Sequence, residues 1–403
     1  MNRLLKSILG TGKFVVAKPE ADGFSLNAGG IDISSALWFS THKPVRIADR
    51  LYELEYGDLD YAYGIEYGRN YMPQGACSAI RVGNYAGGNL DWYYGEEVEF
   101  IVKTPAVDGR YATIGVAHSL PKMTKDFVDS GEYSDDYKAL PFMVNSAMNT
   151  CGVYAKTNVV WAGDKGTTTG TNPGKPDICQ LLIPRYVCDY AATADEAIAL
   201  LQDCNVFAPL KNIDNEIHVM ICDATKTYIV EFVNNQMVVT EDVVMTNFYQ
   251  NDWTGDIKAV IYGDTKAETE ATGLNRHAMG LERMKILLEG IEDAEDEDDA
   301  IALLKDVKYS QAYDLTNEWY TEFLTSGTGP WGELTIYSES TDFSAIMSFY
   351  HDIFESRKRD KLTWLTNHTA VYDLVNKKVS VFVEEDYTNK YEFKLHVPGT
   401  IDI

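Results

Sequence analysis

Three segments between residues 215 and 248 read EIHVMICD, KTYIVEFV and QMVVTEDVVMTNF. Each alternates apolar with polar residues over the length of a strand. The links between them, Asp223-Ala224-Thr225 and Asn234-Asn235, are good turn material. The stretch therefore predicts an antiparallel meander, and the same pattern recurs along the chain. Ser78–Val82, Leu90–Lys103 and Arg110–His118 read as strands. Near the C-terminus, Thr369–Leu374 and Val379–Glu384 flank Asn376-Lys377 as a tight hairpin, and Tyr391–Val397 follows.

Helical signals fall between these groups. Ile47–Tyr56 has a helix-like pattern. Thr193-Ala194-Asp195-Glu196 is a capping-box sequence leading into Ala197, Ile198, Leu200 and Leu201. A second helix is predicted over Asn275–Glu289, with Leu281, Met284 and Leu288 on one face. The acidic run Glu292–Asp299 reads as a solvated loop and the first turn of a third helix, where carboxylates suit the dipole. It lacks the glycine and ligand spacing of a calcium loop. Strands in groups with helices between them predict an α+β fold of two packed sheets with helices outside.

Charge and motifs narrow the function. With 61 acidic against 35 basic side chains the net charge is −26, which disfavours nucleic-acid partners. Residues 1–76 carry about −1 of it and residues 77–403 about −25. No run of about 18 apolar residues predicts a membrane span. Lys6, Lys13, Gly10 and Gly12 interrupt the N-terminal apolar stretch, so a cytoplasmic location is expected. The six cysteines have no zinc-ligand spacing and are too sparse for a disulfide scaffold. There is no GxGxxG after a strand, no phosphate loop and no HExxH, so no cofactor or metal is expected. The sequon at Asn367 is read as chance.

One thiol stands apart. Gly75-Ala76-Cys77-Ser78 sets a cysteine at the start of a predicted strand, behind two small residues that leave the preceding carbonyl accessible. Gly88-Asn89-Leu90-Asp91-Trp92 follows after a Gly-rich turn, and a hairpin of that length returns Asp91 beside Cys77. Taken alone, such a cysteine is most simply a small buried hydrophobe.

The ordered motifs change its reading. Cys77-Ser78-Ala79-Ile80 with Gly88–Trp92, then Met148–Val153, Ala194–Leu201, Asp223 with Glu231-Phe232-Val233, Val244–Phe248, Asn275-Arg276-His277 and Trp364–Leu374, together resemble the linear-amide C–N hydrolases of the N-terminal-nucleophile superfamily. That group includes choloylglycine hydrolases, penicillin V acylases and the acid ceramidase and N-acylethanolamine amidase branch. The resemblance covers nearly all of 77–403 and implies a four-layer αββα sandwich. It also implies autocatalytic cleavage of the Ala76–Cys77 bond. Residues 1–76 would then be a leading segment or small subunit docked on a 77–403 catalytic domain, as in the acid ceramidase branch.

The resemblance further implies the roles. Cys77 would be the nucleophile and its freed α-amine the base. Asp91 would orient that amine. Asn247 would supply one oxyanion donor and a backbone N–H near Asn158, or Val159, the other. Arg276 would favour the thiolate, with Arg283 a weaker rival two turns along. Asn149 reads as a structural turn residue. His118, His277 and His368 read as structural hydrogen-bonders. The family's arginine three residues before the aspartate is Gly88 here, with Arg81 or Arg276 as candidates to compensate. The partner expected is a small N-acyl amide with a fatty-acyl, bile-acid-like or aryl-acetyl group, and a homo-oligomer is left open. An acyltransferase and a non-catalytic binding relative are the alternatives.

Overall fold

The computed structural model describes residues 42–57, 59–69, 76–93, 97–107, 109–119, 123–161, 169, 172–208, 215–233, 235–250, 280–309, 311–314, 328–329, 332–333 and 361–395. The chain separates into a unit of residues 1–40 and a unit of residues 41–403. All that follows concerns the second.

Among the described residues the first elements are β1 (Val45–Ala48), β2 (Leu51–Glu55) and helix α1 (Tyr61–Arg69), then the hairpin β3 (Ala76–Val82)–β4 (Tyr85–Tyr93). Next come β5 (Glu99–Thr104), β6 (Thr113–His118), α2 (Lys125–Ser130), α3 (Asp136–Ala139), β7 (Ser146–Asn149) and β8 (Tyr154–Trp161). A short parallel pair, β9 (Asp177–Cys179) and β10 (Asn205–Phe207), brackets α4 (Ile183–Tyr190) and α5 (Ala194–Gln202). The predicted meander is β11 (Asn215–Cys222), β12 (Thr227–Val233) and β13 (Gln236–Glu241); its third segment breaks after Glu241, and β14 (Val244–Met245) pairs with β3 instead. Helices α6 (Gly280–Ile291) and α7 (Glu297–Asp306) precede β15 (Gln311–Asp314), the small pair β16 (Thr328–Gly329) and β17 (Gly332–Glu333), and β18 (Lys361–Asp373), β19 (Lys378–Val383) and β20 (Tyr391–Lys394).

Two large sheets result. The first has nine strands in the order β1-β2-β5-β6-β7-β8-β11-β12-β13. All its pairings are antiparallel except β2 with β5. The second runs β14-β3-β4-β18-β19-β20, with β15 beside the start of β18. Alternation along each strand sends one set of side chains between the sheets. Leu51, Ile101, Ile114, Met148 and Met220 of the first sheet meet Ala79, Ala370, Tyr372, Val379 and Val381 of the second in one buried cluster. The outer face of the second sheet packs Ile80, Val82 and Val371 against Met284, Leu287, Leu303 and Leu304 of α6 and α7. On the outer face of the first, α4 lies on β7 and β8, where Cys188 Sγ donates to Ala147 O and Val153 O. The layers are therefore helix, sheet, sheet, helix, as expected from the sequence.

Local signals explain the helix starts. Thr193 Oγ1 accepts from Glu196 N at 3.1 Å, and Glu196 Oε2 reaches back to Ala192 N at 2.8 Å. The acidic run ends in a reciprocal cap at α7, Asp296 with Asp299, so its carboxylates sit in the first turn. The turn residues Asn235 and Lys377 have φ of 60° and 57°. The hairpin at 376–377 is looser than expected, with Leu374–Lys377 as a four-residue loop between β18 and β19.

Three expectations are corrected here. Ile47–Tyr56 is not helical. Arg50 adopts φ 71° and turns the chain, and Leu51–Glu55 pairs in parallel with Glu99–Lys103. Pairing with a neighbouring strand overrides the local pattern. The run Leu90–Lys103 is not one strand. It ends at Tyr93 in the second sheet and resumes at Glu99 in the first. The strand predicted over Arg110–His118 begins at Thr113. Arg276, His277, residues 71–75 and the first turn of the predicted 275–289 helix lie outside the described residues. No helix among the described residues is long and apolar enough to cross a membrane.

A charged link crosses between the sheets. Glu99 of β5 bonds His118 Nδ1 of β6 and His368 Nδ1 of β18, each at 2.6 Å. Burial alone would raise the Glu99 pKa, but the two imidazoles outweigh it and hold it at about 2, against a usual 4.5. A depressed folded-state pKa stabilises the fold above pH 4.5, and that contribution is lost as pH falls toward 2. Replacing Glu99 by Gln is expected to flatten the acid limb of stability over this window. Denaturant melts of both proteins between these pH values check it; parallel acid limbs would contradict it.

Candidate active site

The site is assembled around the β3–β4 hairpin. Its register pairs Ala76 with Asp91, Cys77 with Leu90 and Ala79 with Gly88. Side chains alternate, so Cys77, Ala79, Gly88 and Leu90 belong to the inter-sheet face. Asn89 and Asp91 belong to the other face, where Asn89 Nδ2 donates to Leu304 O of α7 at 2.9 Å. The predicted return of Asp91 beside Cys77 is thus realised one residue off, opposite Ala76.

Asp91 is fully buried and held by two groups. Arg283 Nη1 donates to Oδ2 at 2.8 Å and Thr366 Oγ1 to Oδ1 at 2.6 Å. Tyr309 N fixes the Thr366 hydroxyl at 3.0 Å. Burial pushes the Asp91 pKa up to about 6, against the pull of Arg283, the Thr366 bond and Lys156.

Asn247 closes the arrangement. Its Oδ1 accepts the Cys77 backbone N–H at 2.8 Å and an Arg283 N–H at 2.5 Å. Its Nδ2 donates to Val159 O at 2.8 Å. The segment carrying it is braced from behind. Asn158 Nδ2 donates to Met245 O at 3.3 Å and Thr246 O at 3.2 Å, and His218 Nε2 bonds Thr246 O at 2.7 Å. Glu231 Oε1 stands 3.3 Å from His218 Nδ1 and accepts Gln250 N at 2.7 Å. Asn158 therefore contributes a buried brace with its side chain, a function the sequence did not suggest.

The cations differ from expectation. Arg283, the weaker rival, reaches Asp91 and Asn247, while Arg276 lies outside the described residues. Arg81, a candidate to compensate for Gly88, donates from its guanidinium to Ala224 O at 2.7 Å. Lys156 on β8 went unnoticed. A lysine in YAKTNVVW reads as solvent-facing, yet it is 1% exposed. The available signal was alternation, which puts it on the face of Tyr154 and opposite Met220. Burial raises the Cys77 pKa, Lys156 is the strongest charge lowering it, and Arg283 adds a smaller pull.

Beside Cys77 lies a cavity of about 70 Å³, with Leu90, Trp92, Leu181 and Ile217 on its walls and His118 as a polar element. His118 and His368 pair with Glu99 rather than with the thiol, in keeping with structural bonding. Asn149 is a turn brace, its side chain bonded to Cys188 O, Ala191 O, Cys151 N and Val153 N. No three His, Cys, Asp or Glu side chains among the described residues are grouped to hold a metal.

No protein-family model matches the sequence, and no curated protein matches it. Solved structures with a similar chain trace include two forms of conjugated bile acid hydrolase from Clostridium perfringens. They align at 15% and 16% identity with TM-scores of 0.49 and 0.47, each covering 79% of this chain and 92% of that chain. Penicillin V acylase from Agrobacterium tumefaciens aligns at 14% identity with a TM-score of 0.42, covering 76% of this chain and 82% of that one.

The Arg283–Asp91 pair is buried on both sides, at 4% and 0% side-chain exposure. Removing one partner leaves the other charge uncompensated, which typically costs about 3–5 kcal/mol. Arg283→Met is therefore expected to destabilise the protein by about that amount. Urea unfolding checks it, and a loss under about 1 kcal/mol would show that the pair holds little.

Proposed function

We propose that the chain is a cysteine N-terminal-nucleophile amidase. It cuts its own Ala76–Cys77 bond and then hydrolyses the linear amide of an N-acyl substrate through a Cys77 thioester. The observation that carries this reading is the Cys77 N–H on Asn247 Oδ1 at 2.8 Å, with Arg283 joining that same oxygen to Asp91. Once the bond before it is cut, this nitrogen becomes an amine beside its own thiol, already held by a fixed acceptor. An α-amine has a pKa of about 7.7–8.0, which suits a base near neutrality.

In the proposed cycle the amine takes the thiol proton and the thiolate adds to the amide carbon. Negative charge grows on the carbonyl oxygen. Asn247 Nδ2 has two protons and gives one to Val159 O, so the other is the proposed oxyanion donor, with a backbone N–H at Asn158 or Val159 as its companion. The amine product leaves with the proton, and water opens the thioester. Asp91 and Arg283 act as one unit that fixes Asn247. Arg276 keeps its proposed role near the thiol. The apolar cavity walls suit an apolar acyl group. Residues 1–76 are proposed as the leading segment released from Cys77 by the cut, and an added amine acceptor separates hydrolase from acyltransferase by its product.

Denaturing mass spectrometry tests the reading. Wild-type protein is expected as two fragments divided between Ala76 and Cys77, and Cys77→Ala as one intact chain without amidase activity. A wild-type chain that stays intact and has no thiol-dependent activity on N-acyl amides would overturn it.

A further inference from the structure

The reading above leaves one buried cation without a task. Lys156 is 1% exposed, and its Nζ has no hydrogen-bond partner among the described residues. An ammonium in that state is costly, by several kcal/mol unless a nearby charge compensates it. Its position shows what does. A Cβ built on Gly88 would fall 2.3 Å from Lys156 Cε and 2.6 Å from Cδ, as well as 2.1 Å from Ser78 O. The lysine stem therefore runs through the space that a side chain at position 88 would fill. Gly88 pairs with Ala79 and the next inter-sheet pair is Leu90 with Cys77, so the stem crosses the hairpin beside the thiol. Glycine is required there for this passage, quite apart from backbone freedom.

The surroundings leave few candidates for the compensating charge. The residues beside Lys156 on β7 and β11 are Ser146 and Met220, both uncharged. On β3 and β4 the groups whose charge acts on it are Cys77 and Asp91, while Arg81 of β3 donates to Ala224 O. His368 on β18 faces it more weakly, itself tied to Glu99. Asp91 is already engaged by Arg283 and Thr366. The thiol is the group left over.

We propose that Lys156 is the proton partner of Cys77, accepting the thiol proton and standing as ammonium beside the thiolate. The chemistry this serves rests on Cys77 being the nucleophile, as read above. In the uncut chain the Cys77 nitrogen is an amide that donates to Asn247, so it cannot act as base. Lys156 fills that gap. Neutral Nζ takes the proton from Sγ, and the thiolate adds to the Ala76 carbonyl carbon. The bond from that carbon to the Cys77 nitrogen then breaks, and the nitrogen takes the proton from Lys156. The acyl group is left on sulfur as a thioester. Water adds to this thioester, its oxygen and one hydrogen leaving with Ala76 as the carboxylic acid and the other hydrogen restoring the thiol. Burial, which lowers the Lys156 pKa against the pull of Cys77 and Asp91, makes the neutral amine accessible.

The test reads the thiol directly. Full-length wild type, Lys156→Met and Lys156→Gln are alkylated with iodoacetamide across a pH series, and Cys77 modification is quantified by peptide mass spectrometry. Both variants remove the charge with little change in volume, so one serves if the other packs poorly. The rising limb of Cys77 alkylation is expected to move up by at least about one pH unit, about tenfold slower labelling at neutral pH. Without its partner the Cys77 thiol stays protonated, so no charge is left buried and melting temperatures are expected to hold. Profiles that superimpose on wild type would overturn the pairing, even in an active amidase. A shifted profile in a protein without amidase activity would keep the pairing and sink the functional reading instead.

Discussion

The buried ion pair between Arg283 and Asp91 is the contact on which the site depends. It joins helix α6 to the strand after the thiol, and the same guanidinium holds Asn247 Oδ1. Asn247 in turn fixes the Cys77 nitrogen. Three distant stretches of sequence thus meet at one guanidinium, which suits the task because it can present parallel donors to two acceptors. Thr366 from β18 and the Asn158–His218 brace behind Thr246 remove the remaining freedom.

The layered fold brings two cations toward Cys77 from opposite sides. Cys77 sits at the start of a strand in the second sheet, with helices on one side of that sheet and the first sheet on the other. Arg283 comes from the helix side and acts through Asp91 and Asn247. Lys156 comes from the first sheet and acts across the inter-sheet space. A polar site at the edge of a core otherwise built from Ile, Val, Met and Tyr is costly unless every charge has a counterpart. That requirement links the missing side chain at Gly88 to the lysine stem that fills its place.

Much of this was legible in the sequence, for definable reasons. The meander through Glu241 was clear because alternation and turn residues agree, whereas the step of Val244–Met245 into the second sheet was not. Asp91 stood out because the hairpin from Cys77 is short, and Asn247 only through the resemblance of Val244–Phe248 to a known motif. Lys156 was hidden because a lone lysine in a strand reads as solvent-facing unless its whole face is judged together. The contacts of Arg283 were not legible because sequence does not say which turn of a helix meets a sheet. The switch between sheets within 90–103 was invisible because both halves have the same β-rich composition. Arg50, with its positive φ, turned what looked helical at 47–56 into two strands.

The central claim is that Cys77 carries the acyl group. An activated N-acyl amide, mixed with the protein and quenched in acid, gives the direct measurement by intact-mass and peptide analysis. The account predicts an added acyl mass on the peptide that begins at Cys77, released by hydroxylamine and missing from Cys77→Ala. Turnover without any adduct at Cys77, or an equal adduct on the exposed Cys151, would contradict it.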